Sequence, residues 1–277
     1  MQFLAPAKVN LSLRVLGQRE DGFHALDSLM VRVSVFDTLE IERTDAGEIS
    51  FSCDAADVPS DHSNLVVRAA LLFCSQNNVA PGLRIHLQKV IPHGGGLGGG
   101  SSDAATTLMA LNSMFHTGLS RDALSLLGAQ IGSDVPFFLY QCAARISGRG
   151  EVVVPAASVQ GLRILLVKPP FGVPTPWAYK RWRDSIELPG IQYGVQALER
   201  VELVNDLERP VFEKYLFLAD LKQWLLQQPE LEGALLSGSG ATVFGVIRNG
   251  ENLEALKLRL EREFGAELWV RECEVLD

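Results

Sequence analysis

The 277-residue chain is 47% hydrophobic and carries a formal net charge of −8, so it can bury a substantial core in one large domain or two modest ones. The acidic balance argues against the basic face that binding a phosphate backbone requires, and the partners expected are small molecules, with no nucleic acid and no obligate protein partner. No apolar run approaches the ~18 residues of a membrane span and no signal-peptide pattern opens the chain, so a soluble cytoplasmic protein without a membrane partner is expected.

From Phe3 to about Ile41 apolar and polar residues alternate, which predicts two or three strands broken by the polar turn Gly17 to Gly22. Helical apolar spacing predicts a helix over Asn64 to Gln76, and Leu83 to Lys89 alternates like a strand. A glycine-rich segment connects that strand to a helix expected over Ala104 to Met114, with another over Ser120 to Gln130. Leu162 to Val167 is nearly all apolar and bounded by Lys168-Pro169-Pro170, the mark of a buried strand. Helices near Pro176 to Asp184, Asp220 to Gln227 and Asn252 to Glu263 then alternate with strands at Thr242 to Arg248 and Glu267 to Arg271. The whole reads as α+β in two halves, 1–158 and 159–277, punctuated by Pro155-Ala156-Ala157-Ser158. Cys53, Cys74, Cys142 and Cys273 form no C-x-x-C, which suggests neither zinc nor disulfides, and buried free thiols are expected.

The most informative stretch runs from Pro92 to Ala105. Gly94, Gly95, Gly96, Gly98, Gly99 and Gly100 leave no side chains in the way of backbone N–H groups that converge on an anion. Ser101, Ser102 and Asp103 are read as N-cap chemistry for the following helix, whose positive end points at the same place, so a nucleotide phosphate is expected there. The Walker pattern fails because no lysine precedes the serines. The match to G-x-G-x-x-G is trivial in so glycine-rich a run, and the acidic residue that a dinucleotide fold wants about 20 residues on is missing. The protein-kinase segments V-A-I-K, H-R-D and D-F-G are absent. A flexible linker is the remaining alternative, though linkers seldom run straight into a capped apolar helix.

Pro92, Gly96-Leu97-Gly98 and Ser101-Ser102 resemble the phosphate loop of the galactokinase, homoserine kinase, mevalonate kinase and phosphomevalonate kinase (GHMP kinase) superfamily. Four more segments resemble, in order, its cytidine-diphospho-methylerythritol kinase branch: Ala5-Pro6-Ala7-Lys8-Val9-Asn10-Leu11, Asp21-Gly22-Phe23-His24, Gly132-Ser133-Asp134-Val135-Pro136-Phe137-Phe138, and Ser237-Gly238-Ser239-Gly240-Ala241. The resemblance implies an α+β GHMP-kinase fold, with an N-terminal half like ribosomal protein S5 domain 2 and a ferredoxin-like C-terminal half. It also implies phosphorylation of the 2-hydroxyl of 4-diphosphocytidyl-2-C-methyl-D-erythritol by ATP with Mg²⁺, in the methylerythritol phosphate route to isoprenoids. A homoserine or mevalonate kinase, or a silent metabolite sensor on the same fold, are the competing readings.

By that resemblance Lys8 and Asp134 form the catalytic pair, although alone Lys8 reads as a strand lysine facing solvent and Asp134 equally as a helix N-cap before Pro136. Gly94 to Ser102 would carry the ATP phosphates, with Pro92, Asn64, Leu65 and Lys89 nearby; Asn64 reads equally as a helix N-cap. Asn10 would hold the methylerythritol portion. Phe23 and Tyr179 would sandwich the cytosine and His24 would hydrogen-bond to it, with Phe23 replacing the family's usual tyrosine and so lacking a hydroxyl. Thr175 belongs to the segment Pro174 to Tyr179 that resembles the family's P-T-x-x-x-[FY]. Ser237, Gly238, Ser239 and Gly240 would bring backbone donors to the substrate, or simply make a tight turn. The magnesium ligands are not assigned, and His62, His86, His93 and His116 receive no role.

Overall fold

Residues 1–276 are described in a computed structural model. Two long antiparallel strands, β1 (Gln2–Gln18) and β2 (His24–Arg43), come first. They are followed by β3 (Ile49–Cys53), α1 (Leu65–Asn77), β4 (Leu83–Gln88), α2 (Gly99–Met114), α3 (Arg121–Ile131) and α4 (Val135–Tyr140). Next come β5 (Ala144–Gly148), β6 (Val152–Pro155), β7 (Arg163–Lys168) and α5 (Thr175–Trp182). The chain continues through β8 (Gln196–Ala197), β9 (Glu202–Asn205), α6 (Glu208–Lys214) and α7 (Leu216–Leu226). It closes with β10 (Leu231–Leu236), β11 (Val243–Ile247), α8 (Glu254–Phe264) and β12 (Trp269–Leu276). No helix among the described residues is long and apolar enough to cross a membrane.

The strands make one mixed sheet whose main path is β10-β11-β7-β12-β2-β1-β9-β8. Strand β2 is its spine: β1 lies along one edge, while the other takes β5 at Leu26–Met30, β12 at Arg32–Val33 and β4 at Thr38–Arg43. The last strand therefore returns to pair with the second, and β9 runs parallel to β1 at Ser12 and Leu13. These pairings stitch the later part of the chain onto the first two strands, β9 onto the one that carries Lys8 and β12 onto its partner.

Helices α1 to α4 cover the sheet around Phe73, Leu108, Leu111 and Phe137, all buried. On β7, Ile164 and Leu166 face one apolar cluster and Leu165 and Val167 another, so both faces are buried and the strand reads as a continuous apolar run. Several elements were not foreseen, among them β3, β5, β6, β10 and α6. They are short, and β5 and β10 contain glycine, which weakens the alternation that marks a strand.

Two expectations need correction. Helix α2 starts at Gly99 instead of Ala104, its N-cap is Gly98 in the left-handed region, and no side chain caps it. Ser101, Ser102 and Asp103 are thus inside the helix; a Cβ on Gly99 would lie 3.0 Å from Ile91 Cγ2 and 3.1 Å from Lys89 Nζ, so the crowded first turn itself wants glycine. All four cysteines are free, but only Cys74 and Cys273 are buried, while Cys53 and Cys142 are half-buried.

Phe73 is fully buried in α1 with its ring 6.4 Å from that of Phe115. Phe73→Ala is expected to remove about 3–5 kcal/mol of folding free energy, seen as a lower urea midpoint, because the cavity cannot close between helix and sheet.

Candidate active site

The pleat of β1 sorts its residues. Ala7, Val9 and Leu11 enter the central apolar cluster, which turns Lys8 and Asn10 to the opposite face, toward a cleft of about 1520 Å³. Lys8 is 4% exposed, so burial draws its pKa down, and Asp134 partly restores it through charge and a hydrogen bond. Its Nζ lies 2.6 Å from Asn10 Oδ1 and 3.7 Å from Asp134 Oδ2. Asn10 Nδ2 donates to Ser28 Oγ at 2.8 Å, and Ser28 Oγ donates to the carbonyl of Ser12 at 2.6 Å, so the amide orientation is set by its neighbours. A register shift between Asn10 and Ser12 lies beside this relay.

Asp134 stands at the N-cap position of α4 yet makes no capping hydrogen bond, and its side chain is 33% exposed. The carboxylate is free to face Lys8 and the cleft.

Gly94, Gly96 and Gly98 alternate in the left-handed region, at φ 66°, 75° and 69°, and so bend the segment between β4 and α2 into a nest. Leu97 pins it: its side chain is buried in the central cluster, and its carbonyl accepts from Lys8 N at 2.9 Å. A second loop supports the first from behind. Ser237 Oγ donates to the Gly96 carbonyl at 3.0 Å, and Thr242 N donates to the Gly95 carbonyl at 3.1 Å. A Cβ on Gly96 would stand 2.2 Å from the Ser237 carbonyl oxygen, so no other residue fits.

Pro92, Gly94 to Ser101, Asn64, Leu65 and Lys89 all line the cleft, as do Gly238, Ser239 and Thr175. Ser102, Ser237 and Gly240 do not; Ser102 and Ser237 are fully buried, and the Ser102 hydroxyl has no hydrogen-bond partner among the described residues. The Ser239 and Thr175 hydroxyls are 2.7 Å apart. Asn64 does cap α1, its Oδ1 accepting from Val66 N at 2.8 Å.

At the other end of the cleft His24 stacks on Tyr179, with ring centroids 5.5 Å apart, and meets the edge of Trp182 at 6.1 Å. Burial pushes the His24 pKa down. Burial, then the Asp134 charge, push the Tyr179 phenol up. Phe23 stays 50% exposed, and the Arg149 guanidinium lies over its ring at 5.1 Å. Trp182 and Arg149 both line the cleft and were not singled out from sequence; Trp182 falls one helical turn after Tyr179, a spacing that could have flagged it.

Beneath the glycine loop two carboxylates share one ammonium. Lys89 Nζ contacts Asp37 and lies 2.9 Å from Asp103 Oδ2, with all three side chains buried. Asp37 Oδ1 also accepts from Val90 N and Ile91 N, which fixes the approach to the loop. Burial opposes the Lys89 charge, but the two acids outweigh it and its pKa is raised. Asp103, buried first of all and facing Asp37 as well as Lys89, is pushed up to about 7. No group of three or more His, Cys, Asp or Glu side chains among the described residues could hold a metal.

Comparison with known proteins gives the family of the chain. The model of the GHMP kinases N terminal domain matches residues 64–142, and that of the GHMP kinases C terminal matches residues 195–267. A 4-diphosphocytidyl-2-C-methyl-D-erythritol kinase of Methylacidiphilum infernorum is 43% identical over 99% of this chain and 96% of its own length. One from Syntrophotalea carbinolica is 40% identical over 95% of each chain. The crystal structure of a 4-(cytidine 5'-diphospho)-2C-methyl-D-erythritol kinase superposes with a TM-score of 0.81 at 35% identity, covering 99% of both chains. The expected α+β GHMP-kinase fold is therefore the one found.

The buried acid pair yields a pH signature. Since the Asp103 pKa rises from 3.8 to about 7 on folding, the folded state holds a proton that the unfolded chain releases between those values, and this carboxyl makes folding less favourable as pH climbs through that window. Asp103→Asn should flatten that decline, so urea midpoints of variant and parent compared from about pH 4 to pH 7 should move in the variant's favour; a constant offset would refute the titration.

Proposed function

Because this chain belongs to the GHMP kinase family, and within it to the 4-diphosphocytidyl-2-C-methyl-D-erythritol kinases, we propose that it transfers the terminal phosphoryl group of ATP to the 2-hydroxyl of that cytidine substrate. The observation that carries the reading is the Lys8–Asp134 pair, 3.7 Å apart, in one cleft with the glycine loop and the His24–Tyr179 stack.

In this reading the glycine loop and the N-terminus of α2 hold the phosphates by backbone donors. Asn10 holds the methylerythritol portion. Asp134 accepts the hydrogen bond, and then the proton, of the 2-hydroxyl as its oxygen bonds to the γ-phosphorus and the bond to the leaving β,γ-bridging oxygen breaks. Lys8 faces the same point and offsets the negative charge gathering on the transferred group. His24 and Tyr179 take the cytosine, with Phe23 at its exposed edge, while Thr175, Gly238 and Ser239 flank the substrate.

Magnesium fits as an ion carried by the nucleotide. Such an ion keeps waters and binds through substrate phosphates, and Asp103, in the second turn of α2, is engaged by Lys89. When bound it would neutralise charge on the β- and γ-phosphates. The net charge of −8 argues against a nucleic-acid partner, and the proposal is completed by a cytoplasmic location without a membrane or obligate protein partner. We further propose the division into halves 1–158 and 159–277: the first carries Lys8, Asp134 and the glycine loop, the second Thr175, Tyr179, Gly238 and Ser239.

ADP release with Mg²⁺ and ATP, offering the cytidine substrate beside mevalonate and homoserine, is expected only with the first. Turnover of another alcohol would discard the substrate, and silence with all three would favour a metabolite sensor. Asp134→Asn should lower kcat by about 10²-fold or more, since an amide cannot take the proton. Phe23→Tyr and His24→Ala test the base end. The first should leave kcat unchanged and lower KM by restoring a phenolic hydroxyl, and the second should raise KM about tenfold or more by removing a hydrogen bond to the base.

A further inference from the structure

The four residues Asn205 to Glu208, where β9 gives way to α6, do not line the cleft, yet they hold or pack against segments that lead into its wall. Asn205 is buried; its Nδ2 donates to the carbonyls of Leu236 and Gly238, both at 2.7 Å, while its Oδ1 accepts from Leu207 N at 2.9 Å. Gly238 is the point at which the rear loop meets the Lys8 side chain: a Cβ there would lie 3.3 Å from Lys8 Nζ and 3.4 Å from Asn10 Oδ1.

Asp206 grips the strand that carries those two residues. Its carboxylate accepts from Val15 N at 2.8 Å and Arg14 Nη1 at 2.9 Å, and its own N–H donates to the Leu13 carbonyl at 2.9 Å. Leu207 is fully buried with Leu13 and Val15, in the small cluster against which Tyr179 and Trp182 pack. Glu208 holds Leu236 N through one oxygen at 3.0 Å and Lys222 Nζ through the other at 2.6 Å, the ion pair being wholly buried.

We infer that Asn205–Glu208 is a positioning element that sets the Lys8 strand, the Ser237–Gly240 loop and the base-side aromatics in register with one another. This rests on the kinase reading above, because the distances it governs matter only if Lys8 acts at the reacting centre. No residue of the element touches the substrate; it acts through the backbone of Gly238 and of β1. Alignment errors of this kind fall on the chemical step more than on binding.

Asn205 offers a discriminating substitution. In Asn205→Asp one carboxylate oxygen can still accept from Leu207 N, but the other faces two carbonyl oxygens with no proton to offer. At about pH 8 kcat should drop tenfold or more, with KM values for ATP and the cytidine substrate moving less than about threefold. Burial and the two carbonyl dipoles favour the protonated acid, which can donate to one of the carbonyls, so the ratio of variant to parent kcat should recover several-fold toward about pH 6. A variant that folds but keeps full kcat at pH 8, or whose deficit ignores pH, overturns the inference. If Asn205→Asp does not fold, Asp206→Ala decides, since that side chain is 22% exposed: a several-fold lower kcat with an unmoved melting temperature upholds the inference, and unchanged kinetics overturn it. Turnover by the parent protein is measured first, so that failure of the kinase reading is seen separately.

Discussion

The structure depends on backbone meeting backbone without an intervening side chain. The glycine loop and the Ser237–Gly240 loop come so near that a single Cβ at Gly96 would overlap the Ser237 carbonyl oxygen at 2.2 Å and crowd that of Gly240 at 2.9 Å. Lys8 packs into the same gap, since a Cβ on Gly98 would sit 2.9 Å from its Cγ and 2.9 Å from Phe138 Cζ. Three segments far apart in sequence thus share one small volume, and glycine is the residue that lets them do so. The cost in backbone entropy is met by anchoring, through buried Leu97 and the hydrogen bonds to Gly95 and Gly96.

Two buried lysines near this junction have opposite surroundings. Lys89 faces two carboxylates and is held charged, so it reads as part of the scaffold under the loop. Lys8 has the amide of Asn10 close by and a single carboxylate at the longer distance of 3.7 Å, and its pKa is drawn down. A cation that is only partly compensated retains attraction for an incoming anion, which is the property the proposed phosphoryl transfer asks of it. At the end proposed to read the base, the Arg149 guanidinium lies over the exposed ring of Phe23.

Much of the site was legible because its chemistry is local. The six glycines from Gly94 to Gly100 announced a backbone open to an anion, and the alternation of apolar and polar residues from Phe3 onward announced strands. Where reading along the chain went astray, the cause was tertiary. The first turn of α2 lies where Ile91 and Lys89 leave little room for a side chain, so the helix starts within the glycines and Ser102 falls behind the cleft wall. Arg149, Asp37 and the Asn205–Glu208 segment carry no local signature, because they matter chiefly through partners far off in the chain, Arg149 through Phe23, Asp37 through Lys89, and Asp206 through Arg14, 192 positions away.

The sequence by itself determined the family, the α+β class, the nest of glycines and the alternating faces of the first strand, since these follow from residue type and spacing over a few positions. Only the tertiary structure decided that Asp134 would forgo its helix cap and face Lys8, that His24 would stack on Tyr179, and that one loop would brace another. Those outcomes depend on how β2 gathers β1, β4, β5 and β12 along its two edges. Such long-range pairing fixes distances that no local preference encodes.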